Sequence, residues 1–394
     1  MLELKNNSFQ SRKSLNKSLK NNVEIFSFEK IFFDDSKNYL KIKNSDINLT
    51  GKYPVIDQGE KFLAGYTNQK PKKIEKEDCI VFGDHSKIFK FINFPFVKGA
   101  DGTKVLKLKN KNFNTKYFYY FFKTICLPDL GYTRYYKILK EANIPVLKIH
   151  QQNELVKLLE QTEKLIKIRK EQIQAYDDLI ESIFFEIINK SLIREISFDD
   201  MFEIIDGDRG KNYPKKNDLL EEGYCLFLNT KNVTKTGFKF EQLEFITEEK
   251  DNKLRKGKTK TGDFILTTRG TVGNIAYIDK DIDFKNIRIN SGMVILRRKL
   301  EINPKFFEVL IRKTDILVKA KSGSAQPQLP IKSLKKVLIP TIDVELQNKF
   351  ADYVLKIEEE KKKLNASLLE LESLFDALME DAFSGNLFKE WEGR

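Results

Sequence analysis

Reading the edge of a base pair takes Arg, Lys, Asn or Gln carried on loops, whereas holding a phosphate takes Lys, Arg, Ser, Thr and backbone amides. The sequence places such residues at a few punctuated sites. Asp206 to Tyr213 reads Asp-Gly-Asp-Arg-Gly-Lys-Asn-Tyr, a glycine-bounded turn that presents Arg209 and Lys211. Thr268 and Arg269 open a Thr-Arg-Gly-Thr-Val-Gly loop after the apolar run Phe264-Ile265-Leu266. Lys321, Ser322, Gln326 and Gln328 stand in a stretch rich in hydrogen-bonding groups, Lys-Ser-Gly-Ser-Ala-Gln-Pro-Gln. In the first half His85, Ser86, Lys87 and Lys90 follow the apolar run Cys79 to Phe82. Tyr132, Thr133 and Arg134 lie in Gly-Tyr-Thr-Arg-Tyr-Tyr, where basic residues alternate with rings able to stack. These residues are expected to touch nucleic acid. The competing readings are a solvated turn for 206–213, a strand-end salt bridge for Arg269, and loop solvation for the glutamines. Tyr135 and Tyr136 are expected to pack rather than bind.

A formal charge of +13, from 70 Lys plus Arg against 57 Asp plus Glu, favours a polyanionic partner, because cations gain affinity by releasing phosphate counterions. The same residues argue against several chemistries. Cys79, Cys126 and Cys225 are far apart and odd in number, which fits neither a disulfide framework nor a zinc cluster and suits a reducing cytoplasm. His85 and His150 have no Cys or His at ligand spacing, so no metal is expected. Residues 1–22 are rich in Lys, Asn and Ser and read as a flexible basic tail without the apolar core of a leader. No stretch approaches the ~18 apolar residues of a membrane span, so a soluble, unexported chain is expected. Asn93-Phe94-Pro95-Phe96 imitates an adenine-binding loop of amino-methyltransferases but has Phe94 for a proline and no glycine-rich loop before it. Lys256-Gly257-Lys258-Thr259 ends like a phosphate loop, yet Asn252 stands where its first glycine belongs. Glu248-Glu249-Lys250 could close a nuclease motif, but such triplets are common in a chain with 32% charged residues.

The elements that position these loops come in two copies. Ile144-Pro145 and Ile339-Pro340 end strand-like segments half a chain apart, and Gln152 and Gln347 follow at the same spacing. A helical pattern then runs from about Gln151 to Lys190 and again from about Glu345 to Phe383. Leu158, Leu165, Tyr176, Leu179 and Ile183 on the first, and Tyr353, Ile357, Leu364, Leu368, Leu371, Leu374 and Leu378 on the second, are spaced like a heptad seam. About 40 residues give a ~60 Å rod, and two such rods in one chain should pair. Before each helix comes a mixed region whose segments correspond in order: Phe28 to Phe32 with Phe198 to Phe202, Asp78 to Gly83 with Asp263 to Thr268, Lys104 to Leu108 with Met293 to Arg297. Short apolar helices at Tyr117 to Lys123 and Phe306 to Arg312 complete the pattern. The expected organisation is α/β throughout: a tail at 1–22, a mixed domain at 23–147, a helix at 148–190, a second mixed domain at 191–341, a helix at 342–383, and a tail at 384–394.

This order resembles the specificity subunits of type I restriction-modification systems. The resemblance is carried by Gly131 to Leu139 through Ile144-Pro145 to Gln152, and by Gly323 to Leu329 through Ile339-Pro340 to Gln347. Tyr53 to Ile56, Thr268 to Gly273 and Asn290-Ser291-Gly292 support it, and it covers nearly everything from Val23 onward. It implies two target-recognition domains, each reading half of a split, asymmetric double-stranded DNA target, joined by an antiparallel coiled coil in a pseudo-two-fold repeat. It also implies two docked methyltransferase subunits that use S-adenosylmethionine on adenine N6. The restriction form adds restriction/translocase subunits that use ATP and Mg2+. This chain would then catalyse nothing and bind no cofactor itself. The sequence departs from its own repeat at Phe82-Gly83-Asp84-His85-Ser86, which replaces the Thr-Arg-Gly loop. The rival expectation is a stand-alone nuclease or methyltransferase with a coiled-coil insert.

Overall fold

The computed structural model describes residues 24–99, 102–323 and 327–384. The expected tail 1–22 lies outside the described residues, as does 384–394 beyond Ser384. Contacts divide the chain into two compact units, 1–171 with 366–394 and 172–365. The division falls inside both long helices, so the segments 148–190 and 342–383 are not separate bodies; the ends of each helix are built into the cores of the units.

In the first unit an antiparallel sheet runs Phe32–Asp34, Thr103–Leu108, Cys79–Gly83, Phe89–Ile92. A three-stranded sheet lies beside it, Gly65–Thr67, Tyr53–Ile56, Val97–Lys98, the last pair parallel. The run Cys79 to Phe82 lacks a polar face because both of its faces are covered. Ile80 and Phe82 join the cluster that contains helix Thr115–Thr124, while Cys79 and Val81 join a second cluster with Tyr39, Ile56 and Phe96. Glu24–Ser27 pairs antiparallel with Asn143–Val146, which sets Pro145 opposite Ile25.

The second unit repeats this plan. Its sheet runs Phe202–Asp206, Met293–Arg298, Phe264–Thr267, Ile275–Tyr277, and its smaller sheet runs Phe245–Ile246, Cys225–Leu228, Ile287–Ile289. Phe264 and Leu266 face the cluster of helix Pro304–Lys313, and Ile265 faces the other. Arg194–Ser197 pairs with Leu338–Thr341, setting Pro340 opposite Glu195. Among the described residues, the short ladder Val233–Thr234 with Gly237–Phe238 has no counterpart in the first unit.

Each long helix begins in the same junction. Asn114 caps helix Thr115–Thr124 by accepting from the amides of Lys116 and Tyr117, and its own amide donates to Gln152 Oε1 at 2.9 Å. Gln152 Nε2 then donates to the Leu147 carbonyl at 2.8 Å, between strand and helix. Asn303, Gln347 and Ile342 make the same two bonds, both at 2.8 Å. Asn114 Nδ2 to Asn153 and Asn303 Nδ2 to Asn348 add a third matching pair. Gln152 and Gln347 are buried.

The long helices span Ile149–Lys190 and Val344–Ser384, and they touch. Lys170 pairs with Glu372 at 2.7 Å in the first unit. In the second, Lys361 pairs with Asp177 and the Phe184 and Phe350 rings meet at 5.7 Å, so these stretches run antiparallel. The seam differs from the expected one. Leu165, Leu179, Tyr353 and Leu374 are exposed, while the buried positions are Leu155, Val156 and Leu159, Ile180 and Phe184, and Phe350, Val354 and Ile357. Tyr176, Ile183 and Leu378 pack partly on the unit cores, and Leu158, Leu364, Leu368 and Leu371 are half-buried. The reason is that each helix serves two partners. Its apolar positions straddle one face toward a globular core and one toward the other helix, which period alone merges into one stripe. Among the described residues no helix is long and apolar enough to cross a membrane.

Gln152→Ala is expected to cost about 2 kcal/mol by orphaning a buried amide and carbonyl, and Gln347→Ala a similar amount. Lying in different units, the two effects should add. Urea unfolding checks this; an unchanged midpoint for both variants would mean that water takes over the junction without cost.

Candidate nucleic-acid interface

Four loops of the second unit meet where its central strands end. At Gly207 an added Cβ would lie 2.2 Å from the Asn290 carbonyl oxygen, so only glycine lets the 206–211 turn lie against 290–292. Arg209 then donates to Asp206 Oδ1 at 3.1 Å and to the Ser291 carbonyl at 3.3 Å, leaving its guanidinium exposed. Asp208 is buried and accepts from the amides of Gly210 at 2.8 Å and Arg255 at 2.7 Å. Burial opposes its charge, but the bonds from Gly210, Arg255 and Lys256 prevail and hold its pKa below the ordinary value.

The next loop is fixed by its backbone. The Thr268 and Arg269 amides both donate to the Gly292 carbonyl, at 2.8 and 3.1 Å, and the Thr268 hydroxyl joins them at 3.0 Å. The Thr268 carbonyl accepts from Leu329 N at 2.9 Å, and Ser322 and Gln328 exchange two backbone bonds of 2.8 Å, which ties in the third loop. Arg269, Lys211 and Lys321 are exposed, and no described residue pairs with their charges. Ser322 and Gln328 are also exposed, whereas Gln326 lies outside the described residues. Thr268 corrects the expectation of a contact: it is buried, and its hydroxyl is spent on Gly292.

The first unit uses the same frame with different residues. Asp84 N donates to the Gly102 carbonyl at 2.7 Å and the Asp84 carbonyl accepts from Tyr135 N at 2.8 Å, as Thr268 does with Gly292 and Leu329. The loop starts equally, Gly83 N to Ile88 O and Thr267 N to Asn274 O, both at 2.9 Å. It ends on a left-handed residue in both, Lys87 at φ 62 and Gly273 at φ 97. His85 and Ser86 thus stand where Arg269 to Val272 stand in the second unit. The His85 amide donates to Gln58 Oε1 at 3.1 Å, its Nδ1 lies 2.9 Å from the Thr133 carbonyl, and its ring stacks on Tyr132 at 4.6 Å and 1°. Tyr132 is 91% exposed and Arg134 is exposed without a described partner.

Three first-half residues have structural work. Ser86 donates its hydroxyl to the Gln58 carbonyl. Lys87 pairs with Asp129 at 3.1 Å and lies over the Tyr135 ring. Lys90 corrects the sequence reading. It is buried, and its ammonium donates to the carbonyls of Asp57 at 2.9 Å and Lys61 at 2.6 Å. Burial, against the opposing Asp57 charge, lowers its pKa. A lysine alternating with Phe89 and Phe91 on an outer strand of its sheet points inward or outward by register, which composition does not reveal. Tyr135 packs as expected, buried with its hydroxyl on Gly131 and Leu130.

The fragments that imitate catalytic motifs are used elsewhere. Glu249 pairs with Lys253 and Lys250 with Asp218, Lys258 pairs with Asp251 at 2.7 Å, and Phe96 packs against the Tyr39 ring at a tilt of 31°. Among the described residues no group of three or more His, Cys, Asp and Glu could hold a metal. The sequence reading missed Asn229-Thr230-Lys231, which caps a turn after the buried strand Cys225–Leu228 and sets Thr230 beside Gly270 and Gly292. The signal was present, since a polar loop after a buried strand is the grammar that located Arg269.

Beneath the 206–211 turn, Arg288 Nε donates to buried Asp251 at 2.6 Å and Arg288 Nη1 to the Lys256 carbonyl at 2.6 Å. Burial works against the Asp251 charge, but Lys258 and Arg288 outweigh it and lower the pKa. Its contribution is therefore complete above the ordinary aspartate range and is lost as pH falls through the lowered value. Asp251→Ala should cost about 3–5 kcal/mol by leaving Arg288 buried and unpaired. Denaturant midpoints at pH 7 and pH 3 test this: the gap between variant and wild type should narrow at the lower pH, and a constant gap would contradict the assignment.

Residues 192–372 match the family model for the Type I restriction modification DNA specificity domain. The Type I restriction enzyme EcoBI specificity subunit of Escherichia coli is 24% identical over 159 residues, 38% of this chain and 32% of the relative. The match thus spans about a third of that curated relative. Among solved structures, a Type-I restriction-modification system S subunit from M. genitalium aligns with a TM-score of 0.58 at 19% identity, covering 93% of this chain and 97% of the other. A chain from a structure of the assembly and conformational transition of the type I R-M system gives 0.58 at 15%, covering 93% and 99%. These two show the fold, and the resemblance read from the sequence is borne out.

Proposed function

We propose that this chain supplies DNA sequence recognition to a type I restriction-modification assembly, each unit reading one half of a split, asymmetric duplex target. The observation that carries this reading is the duplicated frame: two units repeat the same three backbone bonds at the loop bases while differing in the residues presented, His85 in one and Arg269 in the other. One frame with two sets of side chains suits two different half-sites. Cations at Lys211, Arg269, Lys321 and Arg134, unpaired among the described residues, supply the phosphate attraction and donors for base edges.

On this reading the paired long helices set the gap between half-sites, and their exposed apolar residues Leu165, Leu179, Tyr353 and Leu374 dock two methyltransferase subunits. Methyl transfer from S-adenosylmethionine to adenine N6 belongs to those partners, which flip the base from the stack. ATP and Mg2+ serve accompanying restriction/translocase subunits. The chain itself holds and orients DNA in the cytoplasm.

Binding of the full chain to duplex DNA should weaken steeply with salt, and Lys211→Ala should reduce the slope of log affinity against log salt by about one. Arg269→Ala should relax preference at one base pair at a cost of about 1–3 kcal/mol. Fluorescence titration over a salt series measures both. Affinity indifferent to salt would exclude the reading, and cleavage or methylation by the purified chain alone would favour the enzyme alternative.

A further inference from the structure

The second-unit reader is a donor: the Arg269 guanidinium has only N–H groups to offer, which suits the N7 and O6 acceptors of guanine. The equivalent position in the first unit is chemically opposite. His85 Nδ1 lies 2.9 Å from the Thr133 carbonyl, which can only accept, so this nitrogen carries the proton. In the neutral ring Nε2 is then an acceptor, and no described residue bonds it. The bond from Nδ1 to Thr133 is what sets which edge of the ring faces outward. Tyr132 stacks flat against it, and the His85 amide is tied to Gln58 while the preceding Asp84 is tied to Gly102, Tyr135 and Tyr136.

We propose, on the strength of the DNA-reading role above, that His85 is the specificity-determining residue of the first unit and accepts a hydrogen bond from an exocyclic amino group. An amino group in the major groove means adenine N6 or cytosine N4, whereas guanine N7 and O6 and thymine O4 would face it with a second acceptor. The two readers therefore differ in kind at the equivalent position: one accepts from an amino group and the other donates to guanine N7 and O6. Tyr132 is a positioning residue: it holds the plane of the imidazole and leaves its own outer face to solvent.

The test is selection of bound sequences from a random duplex pool by the full chain, with variants compared. Arg269→Ala identifies the half-site of the second unit, because its preference flattens there. In the other half the wild type should hold one base pair fixed, and replacing its amino-bearing base by an analogue that lacks the exocyclic amino group should abolish the preference there. His85→Ala should flatten that position about fivefold to tenfold and leave the second half-site intact, which also shows that the variant is folded. His85→Arg should make the preference indifferent to loss of that amino group, and Tyr132→Ala, a change at an exposed ring, should weaken the preference without shifting it to another base pair. Preference unchanged by His85→Ala, or a preference that survives removal of the exocyclic amino group, would overturn the proposal while leaving DNA reading in place. A wild-type pool with no enriched half-site would instead remove the DNA-reading role itself.

Discussion

A buried glutamine amide, used twice, is the constraint on which the rest depends. Gln152 and Gln347 each sit where three elements converge: the strand that carries the Ile-Pro pair, the first turn of a long helix, and the capped start of a short aromatic-rich helix. An amide side chain is suited to this place because it offers an acceptor and a donor on one rigid plane, and the junction needs one of each. A hydrophobic residue would leave a backbone amide and a carbonyl unsatisfied; a carboxylate would meet the carbonyl with a second acceptor. Because the junction fixes how the helix leaves the sheet, it also fixes which helix face turns inward. That is why Leu155 and Phe350, a few residues further on, are fully buried.

The loop ends are organised on a different principle. Their anchors are backbone bonds and uncharged or buried groups: the Gly292 carbonyl with its three donors, the Asp208 carboxylate with its ring of amides, the Arg288–Asp251 pair beneath. Since these bonds do not draw on the exposed cations, Arg269, Lys211 and Lys321 keep their full donor capacity for a ligand. Arg209 is the intermediate case, with one arm on Asp206 and Ser291. Pre-organised loops lose little entropy on binding.

Much of this was legible in the sequence, and the failures have a common cause. The Ile-Pro pairs, their glutamines and the long periodic segments give the doubled plan, because backbone restriction and helical period act locally. The position of Lys90 was not legible, since whether a strand residue points in or out depends on register with strands remote in sequence. The seam was misread because Leu165 and Leu374 obey the period, yet both are exposed. Thr268 looked like a presented residue and is a buried anchor, because its neighbour Gly292 is brought to it only by the sheet.

The matched loop bases explain how one frame tolerates unequal readers. In the first unit four residues, Asp84 to Lys87, close the loop between Gly83 and Ile88; in the second, six residues, Thr268 to Gly273, close it between Thr267 and Asn274. The terminating bonds have the same length, and both loops return through a left-handed residue. An insertion between fixed ends costs only a few tenths of a kcal/mol in closure entropy. The sheet therefore registers no penalty from a change of reader, and the energetic consequences of substitution at His85 or Arg269 are confined to what those side chains touch. The residues presented can diverge between the two halves while the junctions that hold the helices stay the same.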